Sequence, residues 1–242
     1  VNLAYLFGIC VEKGSELEKS ERKYKYRVVF QGNRVVDQDY EAATFEDLGS
    51  SPATLESSRA CDLYGSASGH CVEMADAEQA FVQAELTGTE TWVCLPPEAR
   101  IGTQWKGFSR PVVRLRLALY GHPDAGTCWE RHCDSHLRAV GFEPVSEVWS
   151  SCYFHHALKL FLVVYVDDFK LAGPSANVKK GWELISRGLK LEPPTGLGTF
   201  LGCRHHEREV TLANGCRVKL VEQEMHQFMR SCVKRYEELA PS

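Results

Sequence analysis

The sequence predicts an α+β chain with antiparallel hairpins and helices on one side. Three observations carry that expectation. Strands and helices follow one another in mixed order rather than as regular β-α-β units. Cys152 to His156 and Leu158 to Val166 read as a strand pair, the second apolar enough to be fully buried. Asn214-Gly215 is a hairpin turn signal between the short strands Val210 to Leu212 and Arg217 to Leu220.

The remaining elements follow in chain order. Tyr24 to Gln31 is rich in β-branched and aromatic residues and stops at Gly32, so it is a strand. Ala53 to Ser68 is a helix that follows Ser-Ser-Pro. Val72 to Asp76 alternates as a strand and leads into a short helical stretch near Ala80-Phe81. Trp92 to Leu95 is a strand closed by Pro96-Pro97, and Val112 to Leu117 is another. A helix from Pro123 to about Val140 ends at Gly141. Phe169 to Leu171 resumes the buried strand after Asp167-Asp168 and runs to Gly173. Helices over Asn177 to Leu189 and Glu222 to Leu239 complete the chain.

Composition sets the outer bounds. The chain has 242 residues, 44% hydrophobic and 25% charged, which excludes a disordered tail, a collagen-like fibre and a coiled coil. The length allows one large domain or two intimate ones. No apolar run approaches the roughly 18 residues of a membrane span. Val1 to Val11 lacks the basic start and cleavage site of a signal peptide, so an intracellular chain, cytoplasmic or nuclear and not secreted, is expected. The first residue is Val, and a piece of something longer is expected. Ten cysteines without a Cys-x-x-Cys pair read as free thiols.

The net charge of −4 conceals a segregated pattern. Residues 13–34 carry seven Lys/Arg against Glu16, Glu18 and Glu21. Residues 99–121 carry five Arg/Lys and no acid, while residues 37–98 carry 13 Asp/Glu and the single base Arg59.

The sharpest chemical feature is Leu162-Val163-Val164-Tyr165-Val166-Asp167-Asp168-Phe169. Adjacent strand residues point to opposite faces, so two neighbouring carboxylates converge only at a tight turn. Like charges flanked by apolar residues call for a neutralising cation. A solvated Asp-Asp turn is the plainer alternative.

Tyr165-Val166-Asp167-Asp168 resembles the active-site signature of reverse transcriptases. Further segments resemble the copia-type retrotransposon group in the same order. Tyr24-Lys25-Tyr26-Arg27-Val28-Val29 is similar to the family's Tyr-Lys-Ala-Arg-Leu-Val. Asp39-Tyr40 with Thr44-Phe45 is similar to its Asp-Tyr-x-x-Thr-Phe, with one extra residue between. Asp76-Ala77-Glu78-Gln79-Ala80-Phe81 resembles its Asp-Val-Lys-Thr-Ala-Phe. Leu119-Tyr120-Gly121 with Ala125 and Trp129, Gly141-Phe142, and Phe200-Leu201-Gly202 complete the series. The likeness covers about residues 7–239.

The resemblance implies a right-hand polymerase with an antiparallel palm sheet. Fingers would take residues 1–70 and 88–125, palm 71–87 and 126–205, and the start of a thumb 206–242. It implies RNA-directed DNA synthesis on an RNA template and DNA primer from deoxynucleoside triphosphates. Asp76, Asp167 and Asp168 would be the catalytic residues and ligands of two magnesium ions, or of manganese in their place. Asp76 and Asp167 would each touch both ions, with Asp168 supporting. Lys25 and Arg27 would hold the triphosphate, and Phe81 would exclude a 2′-hydroxyl. The bases of 99–121 and Arg230, Lys234 and Arg235 would follow template or primer phosphates. Integrase and RNase H portions would belong to the full-length element.

The sequence departs from the family at several points. Asp124 stands where the family has a Gln beside the nucleotide, and a carboxylate there repels a triphosphate. Lys170 replaces an apolar residue, and the linker before Phe200 is shortened. Two alternatives therefore stay open. One is a degenerate, inactive copy that keeps the fold and weak nucleic-acid binding; the other is a palm-fold nucleotidyl transferase or cyclase acting without a template. Cys128, His132 and His136, with Cys133 beside them, suggest a zinc face on one helix, but no second cluster completes four ligands. His155-His156 and His205-His206 read as structural or solvent-facing.

Overall fold

A computed structural model describes residues 1–13, 22–45 and 51–240, so Glu16, Glu18 and Glu21 lie outside the described residues. The chain divides into two compact units, residues 1–50 with 79–132 and residues 51–78 with 133–242.

The first unit is built on a four-stranded sheet. Its strands are β1 (Asn2–Lys13), β2 (Lys23–Phe30), β4 (Thr91–Cys94) and β5 (Val112–Arg114), in the order β2-β1-β4-β5. β1 is the strand the sequence did not signal, because its apolar run has no alternation to distinguish strand from helix. It pairs antiparallel with β2 from Leu6↔Phe30 to Lys13↔Lys23, and parallel with β4 from Asn2↔Thr91 to Tyr5↔Cys94. Ala4, Phe30, Val35 and Val93 form the core on one face. β5 stops at Arg114, short of the expected Leu117, where the Leu115 amide turns to the Thr91 carbonyl at 2.9 Å.

The second unit holds two antiparallel sheets. The larger has β3 (His70–Asp76), β6 (Glu143–Pro144), β7 (Cys152–His155), β8 (Leu160–Tyr165), β9 (Asp168–Pro174) and β10 (Thr195–Gly196), ordered β10-β3-β9-β8-β7-β6. The smaller has β11 (Thr199–Phe200), β12 (Cys203–Thr211) and β13 (Arg217–Glu224). β12 and β13 are longer than their apolar ends suggest. Their polar stretch pairs across the hairpin, with Lys219 and Glu207 at 2.7 Å, so residues 222–224 are strand rather than the start of the last helix.

Four α-helices occur among the described residues: α1 (Leu55–Gly65), α2 (Ala125–Ala139), α3 (Ser175–Ile185) and α4 (His226–Leu239). α1 starts two residues later than expected because Thr54 and Ser57 form a reciprocal capping box. The helices are not all on one side of the large sheet. A Cβ on Gly65 of α1 would strike Val72, so α1 packs on the face that carries Val72 and Ala172. A Cβ on Gly181 of α3 would strike Leu160 and Leu171, which alternate onto the other face. The end of α2 joins α3 there, its His136 donating to the Ile185 carbonyl at 2.8 Å. β8 and β9 are thus covered on both faces, which explains their nearly unbroken apolar sequence.

Lys170 breaks that apolar run and is fully buried, at 0% exposure. Its ammonium forms an ion pair with Asp62 Oδ1, which has no other polar partner among the described residues. It also donates to Ser58 Oγ at 3.1 Å and stands 5.1 Å from the Phe200 ring centroid. Asp62 Oδ2 accepts from Gln223 at 2.9 Å and faces His205 Nε2 at 3.2 Å. His205 Nδ1 faces the Gly198 carbonyl at 3.0 Å. One buried cluster therefore joins α1, β9, β12 and β13. Burial pushes the Asp62 carboxyl up, but the His205 hydrogen bond and the Lys170 charge outweigh it, and the group lies below its ordinary range. His205, expected to be structural or solvent-facing, is buried in this cluster, whereas His206 is exposed beside Glu224 at 2.9 Å.

Breaking a buried pair leaves an uncompensated charge. Asp62→Asn should lower stability by about 3–5 kcal/mol in urea denaturation near neutral pH. The double change Asp62→Leu with Lys170→Met should recover most of that loss. A single-variant effect below about 1 kcal/mol, the size of an exposed pair, would show that the cluster does not hold these elements together.

Candidate active site

β3, β9 and β8 end together at one edge of the large sheet. Tyr165 pairs with Asp168, which leaves Val166 and Asp167 as the two tip residues of a hairpin. Val166 has φ +55°, a conformation that two-residue hairpins need and that normally falls to glycine. A β-branched residue there is strained, and the surrounding ladder must hold it. The Ala77 amide donates to the Asp167 carbonyl at 2.6 Å, and the Glu192 amide to the Asp76 carbonyl at 2.8 Å.

This geometry brings the three predicted acids together. Asp76 lies directly across the ladder from Asp168, and their side chains share a hydrogen bond. Asp76 is exposed, while Asp167 and Asp168 are half-buried. Burial, then the charges of Asp167 and Asp76, then the hydrogen bond to Asp76, push Asp168 up to about 7. A protonated Asp168 donates to the Asp76 carboxylate. Among the described residues no three His, Cys, Asp or Glu side chains stand gathered as a metal cage. The aspartates meet through strand pairing and shared charge instead.

The residues expected to meet the nucleotide belong to the first unit, whereas Arg230, Lys234 and Arg235 lie on α4 of the second. Lys25 and Arg27 lie on one face of β2, opposite Val11 and Ile9. The Arg27 guanidinium carbon lies 5.8 Å from the Tyr120 ring centroid, and Phe81 packs on the same ring at 4.5 Å. Tyr120 therefore unites Arg27 with Phe81, a role its place in Leu119-Tyr120-Gly121 does not reveal. Phe81 is half-buried, and Lys25 is exposed.

Asp124 lines a different feature, a pocket of about 200 Å³ with Thr44, Phe45, Thr87, Thr127 and Arg131. The Asp124 amide donates to His122 Nδ1 at 3.1 Å. Burial depresses His122 to about 4, so its ring is neutral and able to accept. The Thr44-Phe45 segment and Asp124 thus meet in space. The zinc face is not assembled: Cys128 is buried beside Thr87 Oγ1 at 3.5 Å, His132 lies 6.0 Å from the Trp129 ring, and His136 caps α3.

An α+β chain thus carries three crowded carboxyl groups where strands of its antiparallel sheet meet. The family model described as reverse transcriptase (RNA-dependent DNA polymerase) matches residues 9–237, and the chain belongs to that family. It is 28% identical over 133 residues to a retrovirus-related Pol polyprotein from transposon RE2 of Arabidopsis thaliana, covering 54% of this chain and 9% of that protein. An ornithine carbamoyltransferase of Acinetobacter baumannii is 38% identical over 80 residues, covering 33% of this chain and 24% of that protein. The second match is too short to displace a family match that spans nearly the whole chain. The chain spans less than a quarter of either relative's length.

Asp168 yields a pH prediction. Its pKa is raised from 3.8 to about 7, so the folded state holds a proton that the unfolded chain releases. Stability is therefore lost as pH rises through that interval. Asp168→Asn should melt at a higher temperature than the parent above pH 7, with the gap closing towards the ordinary carboxylate value. Melting curves that stay parallel across this range would contradict the crowding.

Proposed function

We propose that the chain is the polymerase portion of a copia-type retrotransposon Pol polyprotein and catalyses RNA-directed DNA synthesis. The observation that carries this reading is the convergence of Asp76, Asp167 and Asp168, from separate motifs, at one sheet edge. The partners are an RNA template, a DNA primer and deoxynucleoside triphosphates, with integrase and RNase H regions in the longer polyprotein. Fingers are assigned to 1–70 and 88–125, palm to 71–87 and 126–205, and the thumb start to 206–242. The setting is intracellular, cytoplasmic or nuclear.

Two magnesium ions, or manganese, are assigned to these carboxylates. The site offers three hard carboxylates; burial first, and then the charges of Asp167 and Asp76, raise Asp168, and a cation would offset that repulsion. Bound there, the ions would supply an acidified primer hydroxyl and charge neutralisation at the triphosphate. Asp76 and Asp167 are assigned to hold both ions, and Asp168 to support them. Lys25 and Arg27 bind the triphosphate oxygens, for which a planar guanidinium is well shaped. Phe81, fixed against Tyr120, fills the space a 2′-hydroxyl would need. Asp124 opposes nucleotide binding by its charge and is the observation that favours the second reading, a degenerate copy that binds nucleic acid without extending a primer.

Primer extension on poly(rA)·oligo(dT) with and without magnesium tests both. The parent should extend only with the ion, and Asp167→Asn should lose at least about 100-fold while keeping its fold, because a charged ligand is removed. Parent-like extension by that variant would refute the site. A parent that binds primer–template but never extends it is the degenerate copy. Phe81→Ala should raise ribonucleotide incorporation relative to deoxyribonucleotide. An unchanged ratio, measured on folded protein, would reduce Phe81 to a packing residue.

A further inference from the structure

Arg27, Phe81 and Tyr120 come from three segments of the first unit, and backbone bonds fix those segments to one another. Arg27 sits on β2, whose last residue, Phe30, donates its amide to the Tyr120 carbonyl at 2.8 Å. Gly121 permits that approach: its φ is +90°, and a Cβ there would collide with the Phe30 carbonyl. Phe81 lies in a short 3-10 turn, Ala80–Gln83. The chain beyond that turn runs beside the stretch that leads to Tyr120. There the Leu86 amide donates to the Arg116 carbonyl and the Ala118 amide to the Ala84 carbonyl, both at 2.9 Å. The Phe81 and Tyr120 rings pack at 4.5 Å, tilted by 56°. Arg27 meets the same tyrosine, with its guanidinium carbon 5.8 Å from the ring centroid. Arg27 is half-buried, whereas Lys25, two residues away on the same face, is exposed.

A guanidinium held over an aromatic face uses none of its N–H donors there, so they stay available to phosphate oxygens. The same ring backs Phe81, whose position decides the space left for a sugar. Gripping the triphosphate and excluding a 2′-hydroxyl are assigned to different residues, yet both residues lean on one side chain. We propose that Tyr120 is a positioning residue that couples triphosphate binding to sugar selection. Displacing its ring frees Arg27 and Phe81 together. The coupling also runs from end to end: a change at Arg27, assigned to the phosphates, loosens the ring that holds Phe81. It rests on the polymerase reading for the nucleotide, and deepens it by naming what sets the two contacts. A plain packing role for Tyr120 would lower stability without linking the two properties.

The test is steady-state extension of poly(rA)·oligo(dT) with magnesium, comparing dTTP with UTP in variants that melt cooperatively. Tyr120→Leu should raise the KM for dTTP roughly fivefold, with kcat near the parent's, because the cation–π contact is lost. The same variant should lose part of the preference for dTTP over UTP. Tyr120→Phe, which keeps the ring, should restore both. Arg27→Leu should also lower the sugar preference, and it carries the test should Tyr120→Leu fail to fold. Adding Tyr120→Leu to Arg27→Leu should raise KM by less than it does in the parent, since residues in contact do not act additively. In nucleotide-free protein, the Arg27 Hε resonance should lie upfield under the ring current and move downfield in Tyr120→Leu. A parent that extends no primer refutes the polymerase reading, and the coupling with it. A parent that extends, beside a folded Tyr120→Leu with parental KM and sugar preference, refutes the coupling alone. Additive effects in the double variant, or a Tyr120→Phe as impaired as Tyr120→Leu, would also overturn it.

Discussion

Three carboxyl groups crowd one end of the large sheet, and the second unit has to hold them there. Asp76 and Asp168 face each other across a strand pair, with Asp167 one residue away at a hairpin tip. Burial first, and then the neighbouring charges, raise Asp168 to about 7, so the three groups do not ionise independently. The crowding would open the strands if the ladder were weak. It is instead closed on both sides of β9, by β3 over seven residues and by β8 over five.

The buried Lys170 cluster anchors the same strand. Lys170 sits two residues beyond Asp168, with its side chain on the α1 face of the sheet. There Asp62 takes its charge, and His205 and Gln223 bring β12 and β13 onto that carboxylate. An ion pair in this setting contributes little net stability over well-packed apolar residues. Its effect is directional, because a buried ammonium whose counter-charge among the described residues is Asp62 fixes which elements meet. A strand that carries a strained Val166 and a destabilised acid at its end needs such fixing.

The second unit was more legible in the sequence than the first. The apolar run of β8 and the break at Asp167-Asp168 announced a buried strand and its turn, and the hairpin tip brings the neighbouring acids to one place. Asp167 and Asp168 are marked by that local turn, whereas Asp76, on a distant strand, is marked only by the resemblance of the Asp76-to-Phe81 segment to the family's motif. β1 was missed because a run that is apolar at nearly every position carries no period. The placement of α1 opposite α3 was missed because it depends on which face Val72, Leu160 and Leu171 occupy, and that emerges only from strand pairing. Lys170 stood out as a departure, yet its partners Asp62 and His205 are distant in sequence, and nothing local marks either. Tyr120 likewise gains its meaning from Arg27 and Phe81, which come from two other segments.

The central claim is that the aspartates at this edge act as one cation-binding group. The most direct measurement is the carbon-13 chemical shift of the Asp168 carboxyl, followed against pH with and without magnesium. Without the ion, the account predicts a midpoint near 7. With saturating magnesium, the midpoint should fall to or below the ordinary carboxylate range, because the cation favours the ionised form. An Asp168 that titrates as an isolated carboxyl, or whose high midpoint is indifferent to magnesium, would contradict it.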